Sequence, residues 1–485
     1  MSERCPSAAR RAARLPTLTG ALPAHRAGIA GGTCVALLAS LLLSACAVSR
    51  SRGHAEVAAI IEQRLGIKTH WDQGSPADAE VRKVVDRLLE NGLSRERAIE
   101  IALVNNHALQ ATYEELGISQ ADMVQAGLLK NPSLGFALGL PLNVGARELE
   151  GSLVQDFLDL LVLPMRKKIA RQRFEADILR VADQALRVAA DVGKEFAAVQ
   201  ASQKLLEFRR EVAAAAEAGA DLADRQFEAG NISELAHATE RAVSEQAALE
   251  LAHEEMELAG ARERLNRLLG LWGPRIAWRI PQALAELPAD DLALDQLERL
   301  AMKQRLDVDY ARKREAMFTR AVAMAKNFRL FGKIEVGAQG HQDPDGPRVI
   351  GPSITLELPI FDQRQAEIAR LEAERRQSEW RLQEVAVDAR SEVRVAVTQM
   401  ATARRMAERY RDRLLPLRTQ IVEQTQRHYN GMLLGFYQLL EAKQAQVEAY
   451  RGYVMALRDY WAARAELERA VGGRLSARTA SAVMR

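Results

Sequence analysis

Leu43-Ser44-Ala45-Cys46 is the stretch whose residue types most directly imply chemistry. Small residues before a cysteine match the bacterial lipobox. In that motif the lipoprotein signal peptidase cuts ahead of Cys46, the thiol becomes a thioether to diacylglycerol, and an N-acyl chain such as palmitate caps the freed amine. Arg10, Arg11, Arg14 and Arg26 precede an apolar run from Ile29 to Ala45 that is too short and too sharply ended to span a membrane, which is the composition of an export signal. Residues 1–45 thus read as a lipoprotein signal peptide. The competing reading is an ordinary secretory leader ending by accident in a cysteine, and the 45-residue length is its main support. Ala47 follows the cysteine; with no aspartate there to argue for inner-membrane retention, the outer membrane of a Gram-negative cell is the expected destination.

Other chemistry is sparse. The only cysteines are Cys5, Cys34 and Cys46, so a chain cut at Cys46 keeps one lipid-bearing thiol and no disulfide. The eight histidines are scattered, with His237 and His253 sixteen apart, so no metal site is expected. No Gly-rich phosphate loop, G-x-S-x-G elbow or H-E-x-x-H occurs, which argues against an enzyme or a cofactor. "QDPDGP" at 342–347 suggests a calcium loop but lacks the later ligands and suits a hairpin turn better. With 67 basic and 64 acidic residues, the net charge of +3 offers no polyanion-binding excess, so nucleic acid is not an expected partner.

The elements that would position anything repeat at an offset near 200 residues. "LSRERAIEIALVNNHALQ" from Leu93 is echoed by "LDQLERLAMKQRLDVDY" from Leu294, each after a capping residue, Ser94 or Asp295. "FEAGNISELAHATERAVSEQ" from Phe227 is echoed by "YNGMLLGFYQLLEAKQAQ" from Tyr429. The expected organisation is an N-terminal segment at 46–92, extended along a surface with one helix near Glu80 to Leu89. Repeat one follows at 93–270, a linker at 271–293, repeat two at 294–473 and a tail at 474–485.

Within each repeat, helix gives way to period-two alternation. "SLGFALGLPL" and "LEGSLVQDFLDLLVLP" form one expected hairpin, "KIEVGAQG" and "VIGPSITLELPI" the other, with Pro164 and Pro359 ending the strands. Strands near ten residues suit a tilted membrane β-strand. Four strands cannot close a barrel, and open edges do not survive in lipid, so a membrane sheet here requires several chains. A soluble sheet packed on helices is the alternative.

Next come two rods, Met165 to Ala229 and Asp362 to Asn430, each spanning roughly 100 Å at 1.5 Å per residue, with Pro416 a kink or helix change in the second. The last helix repeats in sevens along two seams, Leu440, Val447, Val454 and Trp461, and Ala442, Ala449, Ala456, Ala463 and Ala470. The seams lie on nearly opposite sides, which suits a helix walled by neighbours. Leu235, Ala242, Leu249 and Met256 keep a weaker version. Gly230 and Gly431 mark equivalent turns where glycine can supply φ above zero, and Ile232, Met432, Leu433 and Leu434 make those turns unusually apolar.

These residues, with "GLLKNPSL" at 127–134, resemble the TolC-type outer-membrane factors, the exit ducts of tripartite efflux pumps, over the chain from about Leu93 to Gly473. The resemblance implies a mainly α protein with membrane β: a homotrimer whose chains give four strands each to a 12-stranded β-barrel in outer-membrane lipid, continuing into a 12-helix α-barrel tunnel. Residues 46–92, the linker and the tail would form a belt. It implies passive export with two partners, a periplasmic membrane-fusion adaptor and an inner-membrane resistance-nodulation-division transporter. By position, the adaptor would meet Gly230, Asn231, Ile232, Gly431, Met432, Leu433 and Gly435. Many members carry an aspartate after the second tip; Glu441 stands at or near that place, a candidate aperture ring, unless it pairs with Lys443. "AGNIS" and "YNGMLLGFYQLL" look most like members serving heavy-metal efflux. A lipid-anchored coiled-coil spacer without a pore is the alternative reading of the whole.

Overall fold

The computed structural model describes residues 53–90, 92–139, 148–280, 283–288, 296–342 and 347–475. The lipobox with Cys46, Asp295, the strand-linking turns and most of the tail lie outside them. The expected N-terminal segment is more structured than its polar sequence suggested. It holds two helices, α1 (His54–Leu65) and α2 (Pro76–Glu90). Nor is it surface-laid, because Val57 and Ile61 on one face of α1 are fully buried in the largest core cluster. Two apolar contacts one turn apart suffice to dock a short amphipathic helix on a longer one.

Helices α3 (Arg95–Asn105) and α4 (His107–Ala126) follow, broken at Asn106. Ser94 caps α3 at the Arg97 amide, and Asn106 caps α4 at the Leu109 amide. Strands β1 (Ser133–Gly139) and β2 (Glu148–Asp156) lead into α5 (Phe157–Glu228). Pro164 therefore does not end a strand. The run from Phe157 to Leu163 is helical, since Asp156 caps the Asp159 amide and starts the helix eight residues earlier. At 72 residues α5 is about 110 Å long. It turns into α6 (Glu234–Leu269), and a short 3₁₀ turn, Gly273–Ile276, begins the linker.

The same order then runs again. Helices α7 (Leu297–Gln304) and α8 (Leu306–Asn327) break at Arg305, and strands β3 (Ile334–Gln342) and β4 (Arg348–Leu356) precede α9 (Gln365–Arg409). The second rod changes helix before Pro416: a π-helical segment, Tyr410–Leu414, joins α9 to α10 (Leu415–Asn430), so the proline falls in the first turn of α10, where its missing N–H costs no hydrogen bond. The return helix is α11 (Phe436–Ala470).

Corresponding joints in the two halves use different side chains for one task. In the first, Asn105 and Asn106 donate to the carbonyls of Leu268, Leu269 and Gly270 at the end of α6. In the second, Arg305 reaches the carbonyl of Ala470 at the end of α11. Each return helix closes on a left-handed glycine, Gly270 (φ 66°) or Gly472 (φ 86°), pressed against the backbone of the earlier break. A side chain at Gly270 would land on the Asn105 carbonyl.

The four strands form one antiparallel sheet in the order β1-β2-β3-β4, leaving β1 and β4 as free edges in the single chain. The main core lies midway along the rods, where α1, α3, α4 and linker residues Trp278 and Ile280 cover Phe174 to Val199 of α5. Among the described residues, no helix is long and apolar enough to cross a membrane.

Candidate functional site: sheet, wall and hairpin tips

Register fixes what each face of the sheet presents. Leu134 pairs with Leu153, Leu138 with Leu149, Val336 with Ile354, and Gly340 with Ile350. Directly paired residues share a face, so Leu134, Phe136, Leu138, Leu149, Leu153, Val336, Ala338, Ile350, Ile354 and Leu356 all lie on one side. Most of their large side chains are exposed. The other face carries Ser152, Glu150, Gln339, His341, Ser353 and Thr355, and His341 stands 3.3 Å from the Glu150 carboxylate opposite it. An exposed sheet with an apolar face and a polar face is built for two different solvents.

Asp159 and Arg166 fasten the sheet to the helices. Asp159 is buried at the top of α5, and Arg166 Nη1 bonds it at 2.6 Å. The same guanidinium donates to the carbonyls of Ala126 and Leu128, and the Lys130 amide donates to Asp159, so the chain entering β1 is tied to the helix leaving β2.

Below the sheet the helices make a wall. Helix α11 packs between α5 on one flank and α9 with α10 on the other. Its alanine seam, Ala442, Ala449, Ala456, Ala463 and Ala470, is buried throughout, which allows close helix approach. Of the large seam only Val454 is fully buried; Leu440, Val447 and Trp461 are half-buried. Tyr453 and Leu457 pack with linker residue Leu284, and the Trp461 indole donates to the Ala285 carbonyl at 2.8 Å. By contrast, the α6 seam finds no covering neighbour among the described residues: Leu235 is 70%, Leu249 67% and Met256 60% exposed, and Ala242 is exposed as well.

Buried charges connect the two halves. Arg209 of α5 holds Glu250 of α6 and lies 3.4 Å from Glu448 of α11. Higher up, burial works against the charge on Arg305, but Asp307 and Glu392 more than offset it and hold the guanidinium pKa above its usual value. Glu254 occupies the buried seam of α6 between Ala247 and Ala261, where burial raises its carboxyl pKa against the opposing pull of Arg451 and Arg209. Nothing in its seven-residue spacing distinguished this glutamate from a solvated one.

The tips repeat each other at an offset of 202, not at the paired glycines. In the first turn the amides of Ala229, Gly230 and Asn231 bond the carbonyls of Arg225, Phe227 and Gln226; in the second those of Gly431, Met432 and Leu433 bond Arg427, Tyr429 and His428. Gly230 has φ 73°, yet its counterpart is Met432 at φ 59°, while Gly431 sits at φ −84°. Gly431 is therefore not the left-handed residue. That position falls one residue on, because the helix continues through Asn430 before the same closing motif. Met432 is 95% and Leu433 72% exposed, whereas Ile232 is half-buried. Ser233 caps α6 at the Ala236 amide, and Gly435 stands in the equivalent place without a side-chain cap. His237 bonds Asp224 and stacks on Phe227 beside the first tip, and Thr239 meets the Tyr437 hydroxyl at 3.1 Å, joining one hairpin to the other.

Glu441 is exposed and belongs to no ion pair among the described residues. Lys443, its expected alternative partner, acts instead on Glu240 of α6, whose carboxyl pKa burial raises and Lys443 partly restrains. Twelve residues at seven per two turns place Glu441 about 150° around α11 from Tyr453, facing away from the linker. Neither Arg209 nor the Thr239–Tyr437 contact was singled out by the sequence, since both depend on which faces of three helices meet.

Comparison with known proteins gives the arrangement a context. The sequence profile described as "Outer membrane efflux protein" matches residues 305–473. The cobalt-zinc-cadmium resistance protein CzcC of Cupriavidus metallidurans is 23% identical over 403 residues, covering 78% of this chain and 90% of CzcC. The Campylobacter jejuni outer-membrane channel CmeC superposes with a TM-score of 0.69 at 15% identity, covering 81% of this chain and 89% of CmeC. CusC, described in connection with transmembrane channel formation, gives 0.65 at 18% identity over 78% and 92%. The chain has the fold of these outer-membrane channels, and its second half, residues 305–473, matches the outer membrane efflux protein family.

Proposed function

We propose that three copies of this chain form the passive exit duct of a tripartite efflux pump. The carrying observation is the four-stranded sheet with two free edges, one apolar face and one polar face. Lipid satisfies no backbone hydrogen bond, so β4 of one copy must pair with β1 of the next until the sheet closes; three copies give twelve strands. The polar face with Glu150, Gln339 and His341 then lines water, and the apolar face meets the membrane. The same closure supplies the neighbour that the exposed α6 seam lacks. Trp380, Val387 and Val395, exposed on α9 at the opposite end of the helix order, are the apolar surface available to cover it.

In that assembly Glu441 faces the tunnel interior, so three copies make a carboxylate ring near the closed end that favours cations. The apolar tips Met432 and Leu433, with Gly230, Asn231, Ile232, Gly431 and Gly435, dock the periplasmic adaptor. The inner-membrane transporter supplies the energy, and opening separates hairpins joined by Thr239–Tyr437. CzcC's name, with the tip sequences, supports heavy-metal cations as cargo. Cys46 adds a lipid anchor, dispensable for membrane retention where the barrel itself is integral, so Cys46→Ser should stay with the membrane.

Single-channel recording of the detergent-extracted protein, alongside its oligomeric mass, tests the reading. Reproducible ion conductance from a trimer is expected. A silent monomer that stays soluble without its lipid would instead establish the coiled-coil spacer.

A further inference from the structure

Among the described residues, the apolar face of β3–β4 is too short for the membrane it is assigned to. On β3–β4 its upper limit is set by Gln342 and Arg348, which pair across the strands on that same face and hydrogen-bond at 3.2 Å. From Ile350 to Leu356 is six residues, about 20 Å of strand and roughly 15 Å of height at a tilt near 40°. An outer-membrane barrel presents an apolar band about 25 Å tall. Roughly 10 Å is missing.

The structure supplies it below the strands. Each of the four chain passes carries large exposed apolar side chains just beyond the strand end: Leu128 and Leu129 before β1, Leu330 and Phe331 before β3, and Leu358, Ile360 and Phe361 after β4. Phe361 is 91% exposed. After β2 the collar is helical. Phe157, Leu160 and Leu161 point away from the buried Leu158 and Asp159, and Phe157 continues the odd-numbered parity that places Leu149 and Leu153 on the apolar face. From Phe157 to Pro164 the helix rises about 10 Å, the length that is missing. The helical pass satisfies its own backbone and so can enter lipid, and below β3–β4 the Glu357 amide still donates to the Lys333 carbonyl.

The next residues on this face are Lys167 and Lys168, both exposed and neither in an ion pair or side-chain hydrogen bond among the described residues. The Lys167 stem lies along the loop at Gly127, its Cδ 3.5 Å from where a Cβ there would stand, so its ammonium is carried outward at one level. Two unpaired cations directly beneath an apolar collar match the phosphate layer of a bilayer.

We propose that the periplasmic lipid boundary lies two turns inside α5 and not at the strand ends, and that Lys167 and Lys168 bind the phosphate groups of inner-leaflet phospholipids, favouring anionic ones. This rests on the membrane assignment of the sheet, and the test separates the two.

Single cysteines at Phe136, Leu161 and Arg173 are introduced into the full chain and reconstituted into phosphatidylcholine vesicles containing phosphatidylglycerol. Labelling by a membrane-impermeant thiol reagent is read as the increment over the parent protein. Phe136→Cys and Leu161→Cys should both label at least tenfold more slowly than Arg173→Cys. Fast labelling at Leu161 with protection at Phe136 overturns the boundary and leaves the barrel standing; fast labelling at Phe136 removes both. For the lysines, native mass spectrometry counts phosphatidylglycerol and phosphatidylcholine retained after detergent extraction. Lys167→Glu with Lys168→Glu, surface changes that leave the core untouched, should abolish a severalfold enrichment of phosphatidylglycerol. Unchanged enrichment in the variant, or none in the parent, overturns the headgroup assignment.

Discussion

His54 begins α1 and lies with its ring 5.2 Å from Tyr113, edge to face, and 5.9 Å from Trp71. Burial, with a smaller push from the nearby His70, lowers its pKa to about 4 from the ordinary 6.5. The folded state therefore binds fewer protons than the unfolded chain between those values, so the stabilisation from keeping His54 neutral is complete above pH 6.5 and is lost as pH falls toward 4. Two and a half pH units correspond to about 3.4 kcal/mol, discounted to about 2 for the ring edge that solvent still screens. Because α1 is anchored chiefly by Val57 and Ile61, this should appear as local opening. Hydrogen exchange of the α1 amides, corrected for intrinsic rates, should lose about 30-fold protection between pH 7 and pH 4.5. His54→Phe keeps the aromatic contacts and removes the titration, so its protection should stay flat across that window. Asp78 titrates elsewhere: despite opposing desolvation, bonds from His70 and Ser75 hold its pKa at about 2, so its contribution persists above pH 3.8. An equal loss in parent and His54→Phe would refute the assignment to His54.

Two further perturbations test the joints. Gly270→Ala meets both a left-handed φ and the Asn105 carbonyl and should cost about 3 kcal/mol in thermal or denaturant unfolding, whereas Gly230→Ala, with the same φ sign but open space around it, should cost about 1; equal losses would show that close backbone approach is not what fixes Gly270. Tyr437→Phe removes the hydroxyl that meets Thr239 and should raise the frequency of spontaneous channel opening in planar bilayers without lowering the oligomeric mass, a rise that an unchanged open probability would exclude.

Much of this architecture was legible because it is written in periods. Sevens along α11 announced a helix walled on both sides, and alternation in "KIEVGAQG" located β3 to within a residue or two. The failures have equally local causes. The run from Phe157 to Leu163 is apolar at nearly every position, so its period is ambiguous and only the Asp156 cap decides for helix. Helix α1 was missed because only Val57 and Ile61 of its apolar face are fully buried, with Ile60 and Leu65 partly buried beside them. Arg209, Arg305 and Glu254 resemble many other charges in a chain that is 27% charged; their burial comes from three helices converging, which no single-segment pattern encodes.

The duplicated tips share a backbone motif but not its support, and that difference orders their stability. At the first, Gly230 takes the left-handed position freely, Ser233 caps the return helix, and His237 bonds Asp224 while stacked on Phe227. At the second, Met432 takes the same conformation with a side chain, at a cost of about 1 kcal/mol, and Gly435 leaves α11 without a side-chain cap, another 0.5–1 kcal/mol or so. The second tip also exposes more apolar surface. A turn that is strained, uncapped and apolar has most to gain from a partner, so the second hairpin should open first and dock first. Hydrogen exchange can decide this in the isolated protein. Amides of Phe436 to Leu439 should exchange roughly ten to thirty times faster than those of Glu234 to His237, and Met432→Gly should narrow the gap. Equal protection at the two tips would mean that contacts beyond the turns, not the local turn chemistry, set their stability.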